Sequence, residues 1–170
     1  MSGIRYLVVF TMTAVLALGA DSALRVSGAA DRDGVERPAL TLTLEAIQAL
    51  PHVTVRINNR GGKERAYEGV LLFELLKRAQ QPTGPDLRGT LLARYVLISA
   101  SDGYRAVYAL PELDPDFSDQ QVVLADRVDG QPLPAREGPL RIVATGDKRE
   151  ARWIRMVDRI QILSSPEPIR

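Results

Sequence analysis

Few side chains in this chain of 170 residues can do chemistry unaided. It has a single histidine, His52, and no cysteine. A nucleophile–histidine–carboxylate relay would have to be built on His52. That residue directly follows Pro51 at the mouth of an apolar alternation, so a surface or half-buried structural histidine is the simpler reading. Metal capture by protein ligands meets the same obstacle, because one histidine and no thiolate leave only carboxylates. Glu112, Asp114, Asp116 and Asp119 form an acidic cluster, but it lacks the glycine and terminal glutamate of a calcium loop. A solvated connection with proline-stiffened turns is expected there.

The elements that must position any site begin after an apolar N-terminus. Met1 to Ala20 carries Arg5, an apolar run from Tyr6 to Leu18 and small residues at Ala17, Gly19 and Ala20, the pattern of a secretory signal peptide. The run falls short of the about 20 apolar residues that span a bilayer. The alternative is an uncleaved N-terminal membrane anchor, because Leu18 is bulky for a cleavage site. Either reading puts the globular part outside the cytoplasmic membrane, periplasmic or secreted. Residues 1–20 hold one base and no acid, so without them the formal charge of +1 falls to zero. A neutral chain lacks the clustered basic surface that nucleic acid requires. Residues 21–170 are long enough to bury roughly 70% of their unfolded surface, so one core without disulfides is feasible.

Residues 21–38, rich in small and charged side chains, read as an extended leader, and residues 39–170 as one domain. Thr41 to Leu50 reads as a short helix with Thr43 as N-cap, an apolar stripe of Leu44, Ile47 and Leu50, and Pro51 closing it. Val70 to Ala79 is the strongest helical pattern. His52–Ile57, Tyr95–Ala100, Tyr104–Leu110, Gln121–Val128, Leu140–Thr145 and Ile154–Leu163 read as strands, with tight turns at Asp102-Gly103 and Asp129-Gly130. Strands in runs with segregated helices imply an α+β domain.

Four landmarks stand in order along this frame. Tyr67-Glu68-Gly69-Val70-Leu71-Leu72 is followed by Leu75-Leu76. Ser101-Asp102-Gly103-Tyr104 leads into Arg105-Ala106-Val107-Tyr108. Leu124-Ala125 and Asp129-Gly130-Gln131-Pro132-Leu133-Pro134 precede Gly138-Pro139-Leu140-Arg141-Ile142-Val143. Arg152-Trp153-Ile154 precedes Val157-Asp158-Arg159-Ile160. In order and spacing they resemble the molybdopterin-binding domain of sulfite oxidase-type enzymes, over roughly Leu40 to Leu163. The resemblance implies mixed sheets with a few short helices and a cleft for a pterin, molybdopterin included.

In that family a cysteine thiolate ligates the metal, and its place here falls near Ile57 to Asn59. An amide such as Asn58 or Asn59 offers donor and acceptor to a ring edge but no thiolate, so no protein-ligated metal is expected. The family positions near the cofactor carry over to Asn58, Asn59 and Arg60 on the first loop, to Ser101, Asp102 and Tyr104 at the hairpin, and to Arg141, Arg149, Arg152 and Trp153. Asp102 is a partner for a 2-amino-pyrimidine edge, which offers two donors. Each has a plainer reading. Asp102 serves a turn, Trp153 anchors the core, Arg149 and Arg152 are solvated charges, and Asn58-Asn59-Arg60 is a loop beside two glycines.

Three functions follow from different classes. The first is an exported, non-catalytic pterin-binding protein, similar to periplasmic pterin-responsive proteins that modulate membrane enzymes making or breaking cyclic di-GMP. The second is a small molybdopterin-dependent oxidoreductase that lacks the cysteine ligand. The third is an accessory subunit using the fold as an interaction surface, its pocket collapsed.

Overall fold

The computed structural model of the chain describes residues 23–28, 39–58 and 62–165. The expected signal peptide and the candidates Asn59 and Arg60 lie outside the described residues. Among the described residues no helix is long and apolar enough to cross a membrane.

Among the described residues ten strands and two short α-helices build two five-stranded sheets. In chain order they are β1 (Leu24–Ser27), β2 (Leu40–Leu42), α1 (Leu44–Gln48), β3 (Val53–Asn58), β4 (Glu64–Leu71), α2 (Leu72–Arg78), β5 (Arg94–Ala100) and β6 (Arg105–Ala109). They continue as β7 (Val122–Val128), β8 (Gln131–Pro132), β9 (Arg141–Ala144) and β10 (Val157–Ser164). The first sheet runs β2-β1-β10-β5-β6, with β1 parallel to β10 and its other pairs antiparallel. The second runs β3-β4-β7-β8, with β9 also paired to β7. This is the mixed-sheet α+β arrangement expected.

The expected leader is corrected at Leu24–Ser27. Leu24 and Val26 alternate inward and are fully buried, so this segment is a strand inside the first sheet. Two apolar residues separated by Arg25 are enough for a half-buried strand but too few to stand out among charged and small neighbours.

The expected helix of residues 41–50 shrinks to Leu44–Gln48, because Leu40–Leu42 pairs with β1 before Thr43 turns the chain. Thr43 is the N-cap, its hydroxyl accepting the Ala46 N–H at 3.1 Å. The helix expected from Val70 starts at Leu72, and the residues before it form β4. Gly69 is what lets that strand pair so closely. A Cβ there would lie 2.1 Å from the Leu124 carbonyl oxygen, at a register shift between β4 and β7. α2 buries Leu72, Leu75 and Leu76 and packs on β4 and β7.

The acidic connection is corrected as well. Asp114 is 1% exposed rather than solvated. Its carboxylate accepts the Gly84 N–H at 2.6 Å and the Asp116 N–H at 2.9 Å, so it staples two loops. His52, at the mouth of β3, meets the buried Asp126 carboxylate at 3.2 Å and the Leu50 carbonyl at 2.6 Å. It sits at the surface with its ring anchored at both nitrogens, within the surface or half-buried reading of the sequence.

Both sheets contribute to one continuous apolar core. They are stitched together where the chain between β8 and β10 returns. Ile142 N–H donates to the Ile154 carbonyl, Val157 N–H to Leu140, and Met156 N–H to Glu137. The Met156 carbonyl in turn accepts the Ser101 N–H at 3.0 Å. Met156 adopts a left-handed φ of 53°, rare for a bulky residue, so the bonds on both its faces hold it there.

Candidate functional site

A cleft of about 440 Å³ opens at this junction, within the size range of small-molecule sites. The tip of the β5–β6 hairpin forms one side with Asp102 and Tyr104. Glu137 comes from the approach to β9 and Arg141 from its first position, and Glu150, Trp153, Ile154 and Arg155 from the approach to β10.

The hairpin tip is shaped by its sequence. Gly103 takes φ +87°, its N–H donates to the Ala100 carbonyl, and Asp102 Oδ1 accepts the Tyr104 N–H at 2.9 Å. One oxygen of Asp102 therefore serves the turn while the residue still lines the cleft. Tyr104, 52% exposed, reaches across so that its hydroxyl donates to the Ala151 carbonyl at 2.7 Å. Tyr108 lies four residues along and thus on the same face of the strand. Its hydroxyl donates to the Arg152 carbonyl at 2.9 Å. The two tyrosines fix the single turn Glu150–Arg152 and, through it, Glu150 and Trp153.

The back wall is a cation held among aromatic rings. Arg141 is 7% exposed. Its guanidinium lies 5.3 Å from the Tyr67 ring centre and 5.8 Å from that of Trp153, and those rings meet edge to face at 6.3 Å. It pairs with Glu137 at 2.5 Å and Glu150 at 3.5 Å. Burial raises the Tyr67 phenol above its ordinary pKa, a shift that the nearby Arg141 charge opposes. Two donors in this wall, Trp153 Nε1–H and Arg141 Nε–H, are buried without an acceptor. Such a group forfeits about 1–3 kcal/mol.

Of the residues singled out in the sequence, the cleft brings together Asp102, Tyr104, Arg141 and Trp153. Ser101 is exposed beside it and contributes its backbone N–H to Met156. Arg149 is exposed and does not line the cleft, and Asn58 is exposed at the end of β3, opposite Glu64. Arg152 is neither a solvated charge nor a cleft residue. It stacks 4.2 Å above the Tyr108 ring and binds Asp147 with two nitrogens, Glu112 at 3.0 Å and the Val107 carbonyl at 3.3 Å. The hydrogen bonds it donates to Asp147 and the negative charges around it raise the pKa of its guanidinium further.

Sequence reasoning missed Glu137, Glu150, Tyr67 and Arg155. The available signal was Arg141 itself: an arginine inside the apolar run Leu140–Val143 has to find carboxylates, and Glu137 and Glu150 flank that run.

Residues 20–169 match the family described as the oxidoreductase molybdopterin binding domain. Comparison with curated proteins found no match. Among solved structures, the sulfane dehydrogenase SoxCD from Paracoccus pantotrophus superposes with a TM-score of 0.60 at 18% identity, over 82% of this chain. At that identity the likeness concerns the fold, and the chain spans 37% of the length of that relative. Because the family match runs through both sheets and every wall of the cleft, the chain belongs to the oxidoreductase molybdopterin binding domain family.

Proposed function

We propose that this protein is an exported, non-catalytic pterin-binding protein that reports pterin occupancy to a membrane signalling partner, of the kind that makes or breaks cyclic di-GMP. The observation that carries the reading is the cleft wall, where two buried donors without acceptors, on Trp153 and Arg141, stand beside the carboxylates of Asp102, Glu137 and Glu150. A pterin is complementary to such a wall. Its ring carbonyl and ring nitrogens accept, its amino-pyrimidine edge donates to carboxylates, and its flat face suits an aromatic rim such as Tyr104.

The complete metal cofactor fits these residues poorly. With no cysteine in the chain, the soft thiolate that anchors the metal in the family is missing. Among the described residues no group of three histidine, cysteine, aspartate or glutamate side chains is placed to hold a metal ion. A binding module is therefore favoured over redox chemistry, and the open cleft favours a ligand over a bare scaffold. Met1–Ala20 supports export. Coupling to a partner is supported by the β5–β6 hairpin, whose tip lines the cleft while Arg105 and Val107 face outward. A ligand touching the tip changes the surface offered to the partner, and the effect is as large as the difference in partner affinity between the two states.

Metal analysis of protein isolated from its native host, together with fluorescence of the small molecules released on denaturation, tests the reading. A pterin signal without metal is expected. Stoichiometric molybdenum or tungsten overturns it in favour of the oxidoreductase. The variant Trp153→Phe keeps the ring and removes the donor, so it should weaken pterin binding while leaving the fold intact. Alanine at this 6%-exposed position is a poor probe, since it would cost about 3–5 kcal/mol of stability.

A further inference from the structure

We infer that the cleft selects pterins without a phosphate group, and that Glu150 enforces the selection. This deepens the pterin reading above and rests on it. Among the described residues three carboxylates line the cleft, Asp102, Glu137 and Glu150, against two cations, Arg141 and Arg155, which leaves one negative charge in excess. The buried cation among these lining residues is not free to receive an anion. Arg141 is already held by Glu137 and Glu150, a trio that is itself net negative. Arg155 is exposed, so water screens what it offers to a phosphate.

A phosphate monoester brings about −1.5 to −2 charges at neutral pH. It would meet this wall unmatched, in a recess where water screens charges less than in bulk. An uncharged hydroxylated tail meets no such penalty, and the amino-pyrimidine edge gains from the same carboxylates. The wall works as a filter by leaving the wrong ligand's charge uncompensated.

Glu150 is the carboxylate best placed to act. It is the looser partner of Arg141, at 3.5 Å against 2.5 Å for Glu137, and the more open, its side chain 33% exposed against 17%. Converting it to glutamine makes the lining formally neutral and frees one face of the guanidinium. Asp102→Asn removes the same charge from the opposite side, and its amide oxygen still accepts from Tyr104 N–H, so the turn persists.

The test is a titration of the purified full chain, freed of ligand, with neopterin and with neopterin monophosphate at low and high salt. The expected result is a Kd for neopterin lower by about tenfold or more at low salt, a gap that narrows in high salt. In Glu150→Gln or Asp102→Asn the gap should close to within about threefold. Equal or tighter binding of the monophosphate by the unaltered protein overturns the inference and leaves the pterin reading standing. A preference unchanged in both variants overturns the assignment to these carboxylates. Binding of neither probe overturns the pterin reading and the selection with it.

Discussion

Arg152 turns its guanidinium away from the cleft and lies 4.2 Å above the ring of Tyr108, while its carbonyl accepts that tyrosine's hydroxyl. Adjacent Trp153 faces the cleft. Two neighbouring residues of one landmark thus serve different ends, one building the support and the other the site.

Arg152→Ala should therefore reduce stability more than ligand binding. The loss of a stacked cation hydrogen-bonded to Asp147, Glu112 and the Val107 carbonyl amounts to about 1–3 kcal/mol, discounted from fully buried values because the side chain is 34% exposed. Denaturant midpoints compared with pterin titrations will separate the two effects. A variant that binds tenfold more weakly at unchanged stability would place Arg152 in the site after all. Lysine should rescue little, because an ammonium cannot reproduce the planar fork.

Gly69→Ala should be among the most damaging single changes in the chain. The new methyl would meet the Leu124 carbonyl oxygen at 2.1 Å and the Ala125 Cα at 2.5 Å, and both are backbone atoms of a central strand. Separation of β4 from β7 should cost about 2 kcal/mol or more, visible as a lowered Tm. A Tm within a degree of the unaltered protein would contradict the close approach.

At high pH, Tyr67 and Tyr108 should titrate above the ordinary tyrosine value of 10.0. Burial is the leading cause of the raised pKa in both. Asp147 adds to it at Tyr108, and Arg141 opposes it at Tyr67. Because the folded values lie above the unfolded value of 10.0, folding is favoured fully below pH 10, and this contribution is lost as pH rises through the folded values. The phenolate absorbance of these two side chains should appear late, together with unfolding. Ionisation of both near pH 10 in a folded chain would contradict their burial.

A row of like charges crosses the first sheet. Arg25 is paired with Arg159, Arg159 with Ser99, and Ser99 with Arg105, and all three arginines are exposed and without an ion pair among the described residues. Like charges on neighbouring strands disfavour folding, so Arg159→Thr should raise stability by about 0.2–1 kcal/mol at low salt. The gain should shrink in high salt, as unfolding curves at two ionic strengths will show.

Much of the fold is legible in the sequence because periodicity and punctuation coincide. The strands β5, β6, β7 and β9 fall within a residue or two of their alternating runs, and Thr43, Asp102-Gly103 and Asp129-Gly130 do the capping and turning their types imply. The misses have physical reasons. β1 is too short to show a period, and β4 runs into α2 without a break, so that Val70 and Leu71 suit either pattern. Met156 lies in the left-handed region for a residue type that gives no warning of it. At the cleft, Asp102, Tyr104, Arg141 and Trp153 were reachable through the landmarks. Glu137 and Glu150 were not, because a buried ion pair is defined by the partner found in space and carries no local pattern of its own.

The cage around Arg152 has one more consequence. β6 is the last strand of its sheet, and an outermost strand offers unpaired peptide groups on which another chain can polymerise. Here the Val107 carbonyl is taken by Arg152 and the Ala109 N–H by Glu112. A second molecule adding a strand at this border would have to displace charged side chains first. Protection against edge-to-edge aggregation is thus built into the contacts that hold the turn beneath the cleft.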